Sequence, residues 1–419
     1  MSLTGAMNAA VSAMQAQSTA LSIISNNLAN VSTTGYKASS ASFSSLLTSS
    51  GSASSSSGGV TVAKSQNILA SGTLVDSSVS TNIAVDGDGF FAVTSGDGSQ
   101  VYYTRNGAFT VDDDTGYLTN NGYSLLGWPT DADGNVVGGT TGTNLEIIDT
   151  STLTGYAAAT TTATLSGSLP ADATSSYNSE LTLYDSLGTS YTLDVTWTKS
   201  TTTDNTWSMS FGTLTDGDGN TVSGATVTGS STITFNSDGT LKSPETTTLA
   251  ISGLTDGASD MSVTLDLGTA GASDGLSQYT PDDSSTSTTV DIACEANGCA
   301  YGTMSGVTID EDGTVSANYS NGESVAIYKI PLATFSNSNG LTELSNSVYS
   351  ASSTSSGATY HFADSDGVGA IKSSELEEST TDTNTEFSSM IAAQQAYSSA
   401  SQVISTAKDM FDSLLSAVR

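Results

Sequence analysis

Residues 3–31 read LTGAMNAAVSAMQAQSTALSIISNNLANV, and the spacing of their apolar side chains decides the fold. Leu3, Met7, Ala10, Met14, Gln17, Leu21, Ile24, Leu28 and Val31 recur at alternating intervals of four and three, with Gln17 the one polar member. This is the a/d seam of a helix that packs against another helix. The seam residues are small or slim, so several helices can approach closely. No proline and no charge precede Lys37. Asn30, Ser32, Thr33 and Gly35 then supply a helix stop.

The far end of the chain repeats the pattern. Met390, Ala393, Tyr397, Ala400, Ile404, Ala407, Phe411, Leu414 and Val418 follow intervals of three and four without a break. A Thr/Asp/Asn cluster at 380–384 offers caps for the start of this second helix. Neither helix carries the charged flanking positions that steady an isolated coiled coil, so each alone in water is marginal. Together, and with copies from neighbours, the two would bury both seams. An intramolecular two-helix hairpin is the alternative.

Between the helices the pattern changes. Residues 38–59 are mostly Ser, Thr, Gly and Ala, which reads as a flexible or extended linker, and we set its limits at 37–75. From residue 60 onward, short apolar stretches broken by Asp-Gly steps predict strands: Ile83 to Val85, Phe90 to Val93, Tyr102-Tyr103-Thr104, Phe109 to Val111 and Tyr123 to Leu126. Residues 160–270 are rich in Thr and alternate, as in Tyr191-Thr192-Leu193-Asp194-Val195-Thr196-Trp197, the signature of half-buried strands. A third β region spans about 300–350. The expected fold is mainly β with α-helical termini, in a nested layout where the paired, coiled-coil-like ends bring the chain back to its start.

Composition excludes several functions. The 419 residues carry a net charge of −33. Residues 76–369 hold 35 of the 42 acids and four of the nine bases, so the middle of the chain repels phosphate and nucleic-acid binding is not expected. No apolar run reaches 18 residues, so no membrane span is predicted. The basic and apolar regions of a signal peptide are absent at the N-terminus, so export, if it occurs, would use another route.

Candidate sites fail one by one. The steps Asp86-Gly87-Asp88-Gly89, Asp131-Ala132-Asp133-Gly134, Asp216-Gly217-Asp218-Gly219 and Asp312-Gly313 sit between predicted strands, where hairpin turns are expected rather than calcium loops. Asp364, Asp366, Gly369 and Glu375 occupy positions 1, 3, 6 and 12 of an EF-hand-like loop, but position 5 is Val368, so we read a structural loop. Cys294 and Cys299 are either a local disulfide or two free thiols. The single histidine, His361, has no nucleophile elbow to serve. The expectation is no enzyme, with no catalytic, cofactor or metal residues.

Specific strings then resemble a known family. Ser25-Asn26-Asn27-Leu28-Ala29-Asn30 with Thr34-Gly35-Tyr36-Lys37 resembles the N-terminal signature of the bacterial flagellar rod and hook axial proteins, carried by Asn26, Asn27, Ala29, Asn30, Gly35 and Tyr36. Gln394-Gln395-Ala396-Tyr397 and Val403 to Ala407 resemble their C-terminal helix. Gly89 to Val93, Tyr103 to Phe109, Gly122-Tyr123 with Gly127-Trp128, and Tyr319 to Gly322 are similar to the inner β domain of the family. Tyr184-Asp185-Ser186-Leu187-Gly188 and Leu332-Ala333-Thr334-Phe335, together with the length, are most like its hook members. In one departure, Ser379-Thr380-Thr381-Asp382 stands where the family has Ser-Asn-Val-Asp.

The resemblance implies a division into a terminal helical axial domain (1–36 and 375–419), the linker, an inner β domain (76–150 and 285–374) and an outer all-β domain (151–284). It implies a structural subunit that self-assembles into a flexible tubular polymer and passes torque from rod to filament. Its partners would be further copies of itself, rod and hook–filament junction proteins, the hook cap and the flagellar export apparatus. It would be extracellular, in the hook and basal body, exported without a cleaved signal peptide. A rod or junction component is the nearest alternative, and a secreted β-rich adhesin or surface-layer protein the more distant one. The terminal helices would fold on assembly.

Overall fold

The computed structural model describes residues 3–48, 56–96, 98, 100–254, 257–279, 292–365 and 367–417. The chain divides into two compact units. One comprises residues 1–152, 307–317 and 325–419, and the other residues 153–306 and 318–324. The architecture is mainly β with one long helix near each end: α1, Leu3–Ala29, and α2, Thr383–Ala417.

The second unit is built on alternation. In Ser190–Lys199 the residues Tyr191, Leu193, Val195 and Trp197 are buried, and Asp194 between them faces solvent. That strand sits in a five-stranded antiparallel sheet with Tyr177–Tyr184, Thr206–Asp216, Ser230–Phe235 and Leu241–Ser243. A second sheet holds Thr226–Thr228, Thr246–Ser252, Met261–Asp266, Thr162–Pro170 and Leu276–Tyr279, with Ile292–Ala296 paired to Thr162–Pro170. One core joins them, with Leu193, Trp197, Trp207 and Met209 from the first and Leu249, Ile251, Val263 and Leu265 from the second. Both buried indoles are satisfied: Trp197 Nε1 donates to Ser179 Oγ at 2.8 Å and Trp207 Nε1 to Gln278 Oε1 at 3.0 Å.

The first unit is packed on both faces of its central strand. Phe90 through Thr94 are all buried, as a continuous apolar run requires. Phe91 pairs with Thr104, Val93 with Leu125 and Leu332 with Phe91, all antiparallel. Phe90 meets Phe335 and Tyr349 edge to face at 5.9 and 6.1 Å.

The stretch read as a linker, 37–75, does not stay unstructured. Ser39–Thr48 (β1) and Ser56–Gln66 (β2) form a long antiparallel hairpin, in register from Ser39↔Gln66 to Leu46↔Gly59. It packs along α1, where Ser12 Oγ accepts the Val60 N–H at 3.2 Å. Ser and Gly say little about side-chain burial, but their backbones pair as well as any. Val60 and Val62 supply the alternating apolar face that composition alone concealed.

The steps at 131–134, 216–219 and 312–313 are turns in which the carboxylates cap backbone. Asp86-Gly87-Asp88-Gly89 is not the expected hairpin turn, because the strand before it, Ile83–Asp86, pairs with Ala370–Ser373. Asp131 Oδ1 accepts the N–H groups of Asp133 and Asn135, and Asp216 Oδ1 those of Asp218 and Asn220, at 2.8–3.1 Å. The Asn220 N–H is the main cause holding the Asp216 carboxyl below the usual carboxylate range. Of the EF-hand-like loop, Asp366 lies outside the described residues, and Glu375 sits in strand Glu375–Glu377, paired with Asp76.

A fully buried ion cluster ties the first unit together. Lys37 Nζ lies 2.6 Å from Glu377 Oε1, with both side chains sealed from solvent. Arg105, also sealed, places Nη1 3.7 Å from Glu377 Oε2. Glu377 Oε1 accepts the Gly72 N–H at 2.6 Å, and Lys37 Nζ donates to the Ala70 carbonyl at 2.6 Å. Arg105 Nη2 donates to the Gly87 carbonyl at 2.7 Å, and its guanidinium covers the Phe90 ring at 5.2 Å. Burial pushes the Lys37 ammonium below its ordinary pKa, and Glu377 opposes the shift. Lys37 and Arg105 occur in the strings that resemble the family, but the sequence alone did not pair them with Glu377.

Two outcomes follow from these contacts. Glu377→Ala leaves two buried cations without a counter-charge and should cost about 3–5 kcal/mol in denaturant unfolding of the first unit. Lys37→Met, which keeps the Arg105 partner, should cost less, and the reverse order would contradict this assignment. Because the folded pKa of Asp216 is depressed, its contribution is present above the usual carboxylate range near pH 4 and is lost as pH falls through the folded value. Melting temperatures of the intact chain and of Asp216→Ala should therefore differ at pH 6 and converge toward pH 3.

Candidate functional site

The helices at the two ends meet at one asparagine. Asn27, buried at the end of α1, uses its whole amide. Nδ2 donates to the Ser39 carbonyl at 2.7 Å and to Glu386 Oε1 at 2.8 Å, while Oδ1 accepts the Ser39 N–H at 3.0 Å and the Tyr36 hydroxyl at 3.2 Å. One side chain thus joins α1, the chain that leaves it, the root of β1 and the first turn of α2. Burial, and then the carboxylates of Glu343 and Glu386, raise the pKa of the Tyr36 hydroxyl, so it stays protonated and donates.

The neighbouring motif residues set this up. α1 ends where the Asn30 N–H returns to Asn26 O, and Asn30 Nδ2 donates to the same carbonyl at 2.9 Å. Asn26 and Ala29 are themselves exposed. Gly35 has φ +68°, and a Cβ there would lie 2.7 Å from the Asn106 nitrogen. Only glycine meets both the conformation and the close approach. Its N–H donates to the Glu377 carbonyl at 2.7 Å. The Thr380 N–H donates to Tyr36 O, and Thr380 Oγ1 accepts the Ala38 N–H. Asp382 Oδ1 accepts the Thr385 N–H at 2.8 Å, which caps α2 and is the main cause lowering the Asp382 pKa. The departure at 379–382 therefore keeps both its cap and its contacts to the N-terminal segment.

The two helices pack together and run antiparallel, since the end of α1 lies at the start of α2. Along α1, Ala10 and Ile24 are buried, whereas Met7, Met14, Gln17, Leu21, Leu28 and Val31 are only half-buried. The deeper positions are Ala16, Ala20, Ile23 and Asn27, roughly 100° around the helix from the predicted seam. They face the hairpin and α2. Reading 37–75 as a linker left nothing to cover that face, which is why the periodicity alone missed it. Of Leu3 only the helical backbone is described.

Along α2, Ala393, Ala400 and Ala407 are buried, and Met390 and Ile404 are half-buried. Tyr397, Phe411 and Leu414 are exposed, and Val418 lies outside the described residues. Away from the seam, Phe387 and Ile391 are 51% and 56% exposed. A groove of about 550 Å³ opens between α1, β1 and the first half of α2, lined by Ala20, Ile23, Ile24, Phe43, Ala393 and Ala396 among others.

The remaining candidates lead away from chemistry. Both cysteines are free. Burial pushes the Cys294 thiol up to about 11, opposite to what a nucleophile needs. His361 ends a short strand opposite Leu332. Among the described residues no helix is long and apolar enough to cross a membrane.

Comparison with known proteins places this geometry. Four family descriptions match in succession along the chain: Flagella basal body rod protein over 7–37, Flagellar hook protein FlgE/F/G D1 domain over 84–155, Flagellar basal body protein FlaE D2 domain over 157–292, and Flagellar basal body rod FlgEFG protein C-terminal over 372–417. The flagellar hook protein FlgE of Brucella suis is 32% identical over the whole of both chains. That of Escherichia coli is 30% identical over 98% of this chain and 99% of its own. The crystal structure of the Helicobacter pylori flagellar hook protein FlgE2 shares the fold, at 14% identity and TM-score 0.50, over 71% of this chain and 99% of that one. With relatives so similar along their full length, the chain belongs to the flagellar hook protein FlgE family, structural subunits of the hook that carries torque from the flagellar rod to the filament.

Proposed function

We propose that this subunit polymerises through its end helices, with α1 and α2 of every copy forming the inner wall of a flexible tube and each chain running out from the axis and back. The observation that carries the reading is the apolar surface that α2 leaves in water. Phe387, Ile391, Val403, Met410, Phe411, Leu414 and Leu415 are all exposed on one helix, while its contact with α1 buries three alanines. Scattered exposed apolar residues are ordinary, but seven on one helix, clustered at 387–391 and 403–415, call for a partner. α1 carries no charge at all, so nothing on it opposes close packing by further helices.

Family membership supports the remaining parts of the reading. The end partners are rod and hook–filament junction proteins and the hook cap, and delivery is by the flagellar export apparatus without removal of a leader. Helices so thinly covered in one copy gain much of their stability on assembly.

Hydrogen exchange tests the coupling. Amides of α1 in the free monomer should exchange much faster than those of Phe90–Ser95, and should become protected in the polymer. Strong protection of α1 in the monomer would contradict coupled folding. Ile391→Asp places a charge on the outward face of α2. It should raise the concentration needed for polymerisation at least tenfold and leave the monomer's melting temperature unchanged. Normal polymerisation of that variant would remove the outer face of α2 from the interface.

A further inference from the structure

α2 is longer than α1, and the difference leaves an apolar tip. With Asn27 level with Glu386 and the helices antiparallel, Leu3 falls level with Met410. Residues 411–417 therefore extend about 10 Å beyond the described part of α1, at 1.5 Å per residue. Met410, Phe411, Leu414 and Leu415, on and beside that tip, are 51–61% exposed. Among the described residues, little of their own chain covers them.

The groove at the opposite end of the same helix pair has the complementary need. Ala20, Ile23 and Ile24 of α1, Phe43 of β1, and Ala393 and Ala396 of α2 give it apolar walls. Ser39 also lines it. That residue is 95% buried, yet its Oγ has no hydrogen-bond partner. A buried hydroxyl without a partner is costly, and a polar group brought in by an occupant would satisfy it. Charge agrees as well. Glu386 is the one ionisable residue lining the groove, and Lys408 is the one cation in the described part of α2.

We propose that the tip of α2 from a second copy of this chain seats in this groove, with Phe411 and Leu414 against the apolar walls and Lys408 toward Glu386. The proposal rests on the assembly reading above and adds to it the surfaces that meet. The two patches are different and lie at opposite ends of one helix pair. Such a contact is heterologous, and repeated copies of it produce an open helical polymer rather than a closed dimer. It also explains why the apolar character of α2 continues past the end of α1, where a two-helix hairpin would have no use for it.

The test is a disulfide trap in the full chain, with the native thiols, the half-buried Cys294 and the buried Cys299, left in place and their peptides followed in the mapping. Ala396→Cys and Leu414→Cys are made as separate variants, both at exposed positions. They are polymerised alone and as an equal mixture, then treated with a mild copper oxidant. Peptide mapping identifies the linkage. Positions 396 and 414 lie about 27 Å apart along one helix, so a 396–414 disulfide joins two copies. The expected result is a cross-linked dimer in the mixture and none in either variant alone, with Lys408→Glu lowering its yield several-fold. A second pair, Ala392→Cys with Leu415→Cys, is read in the same way. Polymer that forms without either cross-link overturns the docking proposal and leaves the assembly reading standing. So does a dimer formed by Leu414→Cys alone, which would mean tip-to-tip contact. Failure of the unsubstituted chain to polymerise overturns both.

Discussion

The carboxylate of Glu377 sits in the dark centre of the first unit, between an ammonium and a guanidinium that are both sealed from water. Lys37 and Glu377 are 340 positions apart in the chain. Their contact closes the circuit between the segment that leaves α1 and the segment that enters α2. Burying three charges is unfavourable unless geometry compensates, and here it does so in part: among the described residues, Arg105 Nε and Glu377 Oε2 have no hydrogen-bond partner. The Gly72 N–H and the Ala70 and Gly87 carbonyls take up donors and acceptors that the ion pair leaves over. An apolar trio could fill the same space, but it would accept many registers. The charged set accepts one, because any slip leaves a bare charge in a low-dielectric interior.

That register is passed outward along a short path. Gly35 lets the backbone donate to the carbonyl of Glu377 itself, one residue before Tyr36 reaches back to Asn27. Asn27 then fixes β1 and the first turn of α2 with the remaining groups of its amide. The helix pair is thus aimed by polar contacts at its base, where the Asn27 amide is fully used. Along its length the residues buried on α2 are alanines. Rigidity and sidedness are concentrated at one end, and the free end is left to find its cover elsewhere.

The parts of this fold that were legible in the sequence are those where one chemical pattern maps to one structure. The alternation from Tyr191 to Trp197 forces every second side chain into the sandwich core. The three-four spacing around Ala393, Ala400 and Ala407 marks a helix face that is buried. Asp382 announced a cap and provides it. What stayed hidden depends on partners distant in sequence. Nothing near Glu377 distinguishes it from Glu375 or Glu378 until Lys37 and Arg105 are brought to it. The hairpin of β1 and β2 was obscured because Ser and Gly carry no apolar signature, although their peptide groups pair normally. That omission misplaced the deepest face of α1, since Ala16, Ala20 and Ile23 are buried by a strand pair that the reading left as linker.

The helix pair is weak for the same reason that it suits a polymer. Alanine permits backbones to approach closely but removes little apolar area from water, and stabilisation scales with that area. Three alanines on α2 therefore hold it to α1 far less firmly than leucines would. A seam of leucines would make a self-sufficient hairpin with no surface left to share. Slim residues face α1, Phe387 and Ile391 face away from it, and Phe411 and Leu414 continue the alanine stripe beyond the described end of α1, so in the proposed assembly most of the burial available to α2 lies between copies. On the proposed assembly, each additional neighbour would contribute more than the intramolecular contact does. Meanwhile the ion cluster and the two β cores keep their structure in a single chain. In the proposed assembly this separation lets the subunit remain a folded β protein beforehand, and leaves the exposed apolar residues of α2 for the step that builds the tube.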